Sequence, residues 1–121
     1  MPIRNVLIVD DSPTDRQYLL DILAKSGFQV ATAQSAEEAL EKVRQQRPDL
    51  VLMDVVMPGQ NGFQATRTLS KDSATKDIPV IICTTKGQDT DRIWGMRQGA
   101  RDYIVKPVAA ADLLAKIAAL G

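Results

Sequence analysis

Apolar residues in this chain fall into short unbroken runs separated by stretches of helical spacing. Asn5-Val6-Leu7-Ile8-Val9 runs straight into Asp10-Asp11, and Leu50-Val51-Leu52-Met53 runs straight into Asp54. Gln29 to Ala33, Pro79 to Cys83 and Tyr103 to Val105 are three further runs. Runs this short, bounded by turn residues, predict strands, and their continuous apolarity predicts burial on both faces of a parallel sheet. Between them the period changes to that of a helix. Ser12-Pro13 supplies an N-cap and a proline in the first turn, Tyr18, Leu19, Ile22 and Leu23 follow on one face, and Gly27 closes the helix in a left-handed cap. Ser35-Ala36-Glu37-Glu38 reads as a capping box ahead of Ala39, Leu40 and Val43, and Pro48 ends that helix. Gly62-Phe63 opens a third helix with Ala65, Thr66 and Leu69 on its apolar side, and the polar stretch Ser70 to Asp77 reads as a loop. A fourth helix carries Ile93, Trp94 and Met96 and stops at Gly99, and Ala109 to Leu120 forms an alanine-rich last helix.

Strand followed by helix, five times over, predicts an α/β fold: a doubly wound, five-stranded parallel sheet, (βα)5, with helices on both faces. The flavodoxin-like strand order 2-1-3-4-5 puts the first and third strands on either side of the switch point. The pattern shows no repeat and no linker, and residues 1–121 are expected to form one domain.

Composition narrows the function. Fifteen basic and fifteen acidic residues cancel, which argues against the basic stripe of a nucleic-acid-binding module. No apolar run is long enough to span a membrane, and the first residues lack the apolar region of a secretory signal. The single cysteine, Cys83, lies inside a strand and reads as a small core hydrophobe. A cytoplasmic location is expected. The chain has no histidine, which excludes histidine-based zinc sites and Ser-His or Cys-His catalysis.

The chemistry-bearing residues collect at strand ends. Asp10 and Asp11 follow the first strand, Asp54 ends the third, Thr84 follows the fourth and Lys106 follows the fifth. In a parallel sheet those ends share one edge, where open α/β sheets place their ligands. Clustered carboxylates raise one another's pKa unless a cation intervenes. An all-oxygen donor set favours a hard ion, Mg²⁺. Carboxylates, a hard cation, a lysine and a hydroxyl suit phosphoryl transfer, with Asp54 as the oxygen nucleophile. Each residue taken singly has a plainer reading: helix-dipole acids at Asp10-Asp11, a loop cap at Asp54, an edge threonine at Thr84, a solvated lysine at Lys106.

Val6-Leu7-Ile8-Val9-Asp10-Asp11-Ser12, Leu52-Met53-Asp54-Val55-Val56-Met57-Pro58-Gly59, Thr84, and Gly99-Ala100-Arg101-Asp102-Tyr103-Ile104-Val105-Lys106-Pro107 together resemble the receiver domain of two-component response regulators. The resemblance covers essentially the whole chain. It implies that Asp54 is the phosphoacceptor and that Asp10, Asp11, Asp54 and the Val56 backbone carbonyl hold Mg²⁺. It implies that Thr84 and Lys106 bind the phosphoryl group and that Tyr103 is an aromatic switch turning inward when Thr84 moves. It also implies a cis Lys106-Pro107 bond. Aside from that role, Tyr103 reads as a half-buried packing aromatic.

The implied function is a phosphorylation-activated switch that self-catalyses transfer from a histidine kinase of the CheA-like kind. Its output would be a protein target at the face of the fourth helix, fifth strand and last helix, with no nucleic acid, no membrane and a monomeric state. Asp11-Ser12-Pro13-Thr14-Asp15 and Lys86 to Gly95 resemble the stand-alone receivers of chemotaxis and twitching motility, the pilus-associated type especially. Val56 and Thr85 vary on the common pattern: Val56 cannot orient an attacking water, and Thr85 could narrow access to the phosphate. Trp94 either packs on the core beside Ile93 or anchors a partner. Three other readings weigh less. An aspartate-nucleophile phosphatase would want a second acid where Val56 stands, a flavin-binding protein would not want an acidic edge, and a receiver-like module that takes no phosphate would not need the intact acids, threonine and lysine.

Overall fold

The computed structural model describes residues 2–120. Among these residues five strands and five helices alternate: β1 Asn5–Val9, α1 Pro13–Lys25, β2 Gln29–Ala33, α2 Ala36–Gln45, β3 Leu50–Met53, α3 Gly62–Lys71, β4 Val80–Thr84, α4 Asp89–Arg97, β5 Asp102–Val105 and α5 Ala110–Leu120. All strand pairs are parallel, in the order β2-β1-β3-β4-β5, as the alternation predicts.

Strand side chains alternate between faces, so the sheet divides the core in two. Leu7, Val9, Val51, Met53 and Val80 pack toward α2 and α3 with Ala39, Val43, Ala65 and Leu69. Val6, Ile8, Leu50, Leu52, Ile81, Cys83 and Ile104 pack toward α1 and α5 with Leu19, Leu23, Leu113 and Ile117. A smaller cluster of Val55, Ile82, Ala100 and Tyr103 lies under α4. Cys83 is buried as expected, and burial pushes its thiol up to about 12.

Local signals set most helix ends. Ser12 Oγ accepts the Asp15 N–H at 3.3 Å, and Pro13 occupies the first turn. Gly27 carries a φ of 89° just past α1, a backbone angle that favours glycine. At α2 the expected box forms only in part. Ser35 Oγ accepts the Glu38 N–H, but the Glu38 carboxylate reaches past Ser35 to the N–H of Gln34. The full reciprocal box sits instead at α3, where Asn61 and Gln64 each accept the other's backbone N–H. Ser70 and Lys71 belong to α3 and not to the loop expected there, because the Ser70 hydroxyl bonds back to the Arg67 carbonyl and across to that of Gln98. Thr84 is the last residue of β4, while Asp54 lies one residue beyond β3.

One expectation fails on α4. Trp94 does not pack on the core beside Ile93: the two are 51% and 53% exposed, and Met96 is 42% exposed. The line of contact runs through Gly95, whose missing side chain lets Ile82 and the Tyr103 ring approach. Residues 93, 94 and 96 project away from that line, since neighbours one or two apart on a helix do not share a face.

Candidate functional site

The alternation that sorts the core also sorts the site. Asp10 and Asp54 continue the β1 and β3 ladders, Asp10 N–H donating to Ala33 O and Asp54 N–H to Val9 O. Each shares the parity of the residues facing α1 and α5. Lys106, one residue past β5, donates its N–H to Thr84 O and follows the parity of Ile104. Three residues distant in sequence are thereby aimed into one space.

The Lys106 ammonium touches three carboxylates: Asp10 Oδ2 at 2.7 Å, Asp15 Oδ2 at 2.8 Å and Asp54 Oδ2 at 3.1 Å. Burial alone would lower its pKa, but the hydrogen bonds it donates to Asp10 and Asp15 and the charge of Asp54 outweigh burial and raise it. Asp10 is itself pushed up by burial, offset in part by the hydrogen bonds from Lys106 and the Ser12 N–H. Asp54 Oδ1 accepts the Val56 N–H at 3.1 Å, which fixes the carboxylate across the top of the sheet. Carboxylate oxygens of Asp10, Asp11 and Asp54 all lie within 4.8 Å of one another. Asp10 and Asp54 are buried and Asp11 is exposed, so the triad opens to solvent on one side. This oxygen-only donor set with an open side fits a hard cation that keeps several waters. The arrangement sets the Asp54 carboxylate against a fixed ammonium.

Two further expected residues are engaged with the β4–α4 loop. Thr84 is fully buried, and its hydroxyl accepts the Lys86 N–H at 3.3 Å instead of bonding Asp54. Tyr103 is 1% exposed, not half-buried, because Gly95 leaves room for its ring. The Tyr103 hydroxyl donates to the Lys86 carbonyl at 2.6 Å, so ring and threonine both hold the β4–α4 loop. Burial and the charge of Asp91 push the phenol up to about 12, against the opposing charge of Arg92. Val56 presents its side chain to solvent, as does Thr85. The Lys106-Pro107 bond is cis.

Sequence reasoning passed over Asp15. Read alone it is a first-turn acid favoured by the helix dipole. A signal was present: α1 packs on the face that carries Asp10 and Asp54, and Asp15 falls in its first turn.

Comparison with known proteins agrees with this geometry. The family profile described as the response regulator receiver domain matches residues 6–118. The chain is 56% identical over 115 residues to Protein PilH of Pseudomonas aeruginosa, spanning 95% of each. It is 37% identical to the phosphate regulon transcriptional regulatory protein PhoB of Escherichia coli, covering 97% of this chain but about half (51%) of that protein. Among solved structures, the chemotaxis protein CheY4 of Vibrio cholerae superposes with a TM-score of 0.91 at 32% identity, over 98% of this chain and 99% of that one. A response regulator structure from Chloroflexus aurantiacus gives 0.93 at 32% identity, over 99% and 98%. With an oxygen-ligand triad and a lysine at the C-terminal edge of a 2-1-3-4-5 parallel sheet, and a family match along nearly its whole length, this chain belongs to the response regulator receiver domains.

Proposed function

We propose that residues 1–121 act as a single phosphorylation-driven signalling switch with Asp54 as phosphoacceptor. The observation that carries the reading is the Asp54 carboxylate held 3.1 Å from the Lys106 ammonium and within reach of two more carboxylates. One Asp54 oxygen attacks the phosphorus of a phosphohistidine on a histidine kinase. An O–P bond forms, the N–P bond breaks, and the imidazole leaves with the electron pair. The charge added to Asp54 is met by the Lys106 ammonium on the same face. Asp10, Asp11, Asp54 and the Val56 carbonyl would hold Mg²⁺, which when bound supplies charge neutralisation at the transferring phosphoryl oxygens.

Thr84 would turn its hydroxyl from the Lys86 N–H to the phosphoryl group. That motion alters the loop to which the Tyr103 hydroxyl is tied, and shifts the population of conformers at α4, β5 and α5. Exposed Ile93, Trp94 and Met96 on α4 support output through protein contact there, with Trp94 as an anchor. The reading extends to a cytoplasmic monomer serving a CheA-like kinase. The similarity to PilH supports a role in pilus-based twitching motility or chemotaxis.

Incubation with acetyl phosphate and Mg²⁺ should add one acid-stable, base-labile phosphate, detected by intact mass. Asp54→Asn should abolish it. Undiminished labelling of that variant places the acceptor elsewhere and overturns the reading.

A further inference from the structure

Lys106 is shared unequally. Its ammonium lies closer to Asp10 and Asp15 than to Asp54. Asp10 and Asp54 belong to the strand edge, whereas Asp15 stands on α1 and is not one of the three carboxylates that could share an ion. Its side chain is partly exposed, and its own helix is capped through its backbone N–H, which bonds Ser12 Oγ. The carboxylate is therefore not needed to start α1. Among the described residues, the lysine is the one that donates a hydrogen bond to it.

We propose that Asp15 is a positioning residue that draws the Lys106 ammonium toward α1 and off Asp54. An ammonium seated fully on Asp10 and Asp54 would compete with a divalent cation for the same oxygens. A second anion on α1 takes part of that charge and leaves the Asp54 oxygens freer to ligate. Asp15 thus sets how much Mg²⁺ the triad needs, without touching the ion or the phosphoryl group. This rests on the proposed Mg²⁺ and phosphoacceptor site.

The test is a double-mutant cycle on Mg²⁺ affinity, read by fluorescence or calorimetric titration at physiological salt. Asp15→Ala should weaken Mg²⁺ binding about tenfold in the otherwise unchanged chain. In a Lys106→Met background the same change should cost roughly twofold, the screened through-space pull of one exposed charge. Lys106→Met alone should bind Mg²⁺ as tightly as the parent or more so. Asp15→Glu, which keeps the charge, should stay within about twofold of the parent and guards against a folding artefact of the alanine. At saturating Mg²⁺ the rate of labelling by acetyl phosphate should return to near the parent rate for Asp15→Ala. Equal losses of Mg²⁺ affinity in the two backgrounds, or a labelling rate that stays low at saturating Mg²⁺, overturn the tether. Loss of the tether with Asp54 still labelled leaves the phosphoacceptor reading standing. Persistent labelling of Asp54→Asn overturns that reading and leaves the cycle's result on Mg²⁺ intact.

Discussion

A single carboxylate ties the first strand to the start of the third. Asp49 Oδ2 accepts the N–H of Arg4 and of Asn5, each at 2.9 Å. These hydrogen bonds hold its carboxyl below the usual range against a small opposing effect of burial. A carboxyl whose folded pKa is depressed binds fewer protons folded than unfolded. Its contribution is therefore complete above the ordinary value and disappears as pH falls through the folded one. Asp49→Ala should cost about 1–2 kcal/mol in urea unfolding at pH 7. The difference from the parent should vanish once the pH lies below the folded pKa of Asp49. A gap that persists at that acidity would mean that Asp49 acts through packing. For Lys106 the sign reverses: three carboxylates raise its pKa, so its contribution is complete below the ordinary lysine value and is lost as pH rises through the folded one.

At the scale of elements, α3 is seated directly against the turn that carries Asp54. Gly62, its first residue, lies so close to the end of β3 that a Cβ there would stand 2.0 Å from the Asp54 carbonyl oxygen and 2.7 Å from Val55 Cα. Both are backbone atoms, and no side-chain rotation relieves the overlap. Gly62→Ala should destabilise the fold by about 3 kcal/mol or more and displace the Asp54 turn. Chemical denaturation gives the loss. Unchanged stability would show that α3 can slide away from the strand at little cost. The N-terminus of α3 was only half legible: Gly62-Phe63 marks where the helix opens, but the Asn61–Gln64 box was not read from the residues. On α4 the sequence left Trp94 two readings, packing beside Ile93 or anchoring a partner, and the exposure of both residues removes the first, because the helix meets the sheet through Gly95. A glycine contact contributes no apolar signal to a pattern, so the seam is invisible until the neighbour strand is in place.

At the scale of the whole molecule, the carboxylates of Asp10, Asp11, Asp15 and Asp54 outnumber the Lys106 ammonium and the Arg16 guanidinium at one edge and leave a local negative excess in a chain with no net charge. A cation bound only by the folded state stabilises it by mass action. At a hundredfold its Kd, Mg²⁺ should add about 2.7 kcal/mol. That corresponds to a rise in Tm of roughly 10 °C for a domain of this size, removed by chelation. Asp11→Asn should blunt the rise. A Tm indifferent to Mg²⁺ would argue against a cation site at this edge.

Element order, parallel pairing and the identity of the edge were legible in the chain alone, because burial on two faces and helical spacing leave their periods in the residues themselves. The strand-end acids and Lys106 could be grouped for the same reason: in a parallel sheet all C-terminal ends must share one side. Which residues meet there was a different matter. Asp15 joined the lysine because α1 crosses the face that Asp10 and Asp54 share. The Thr84 and Tyr103 hydroxyls are instead engaged by the backbone of Lys86 in the β4–α4 loop. Contacts of that kind depend on the packing of helix on sheet and on the vacancy left by a glycine, and only the tertiary structure decides them.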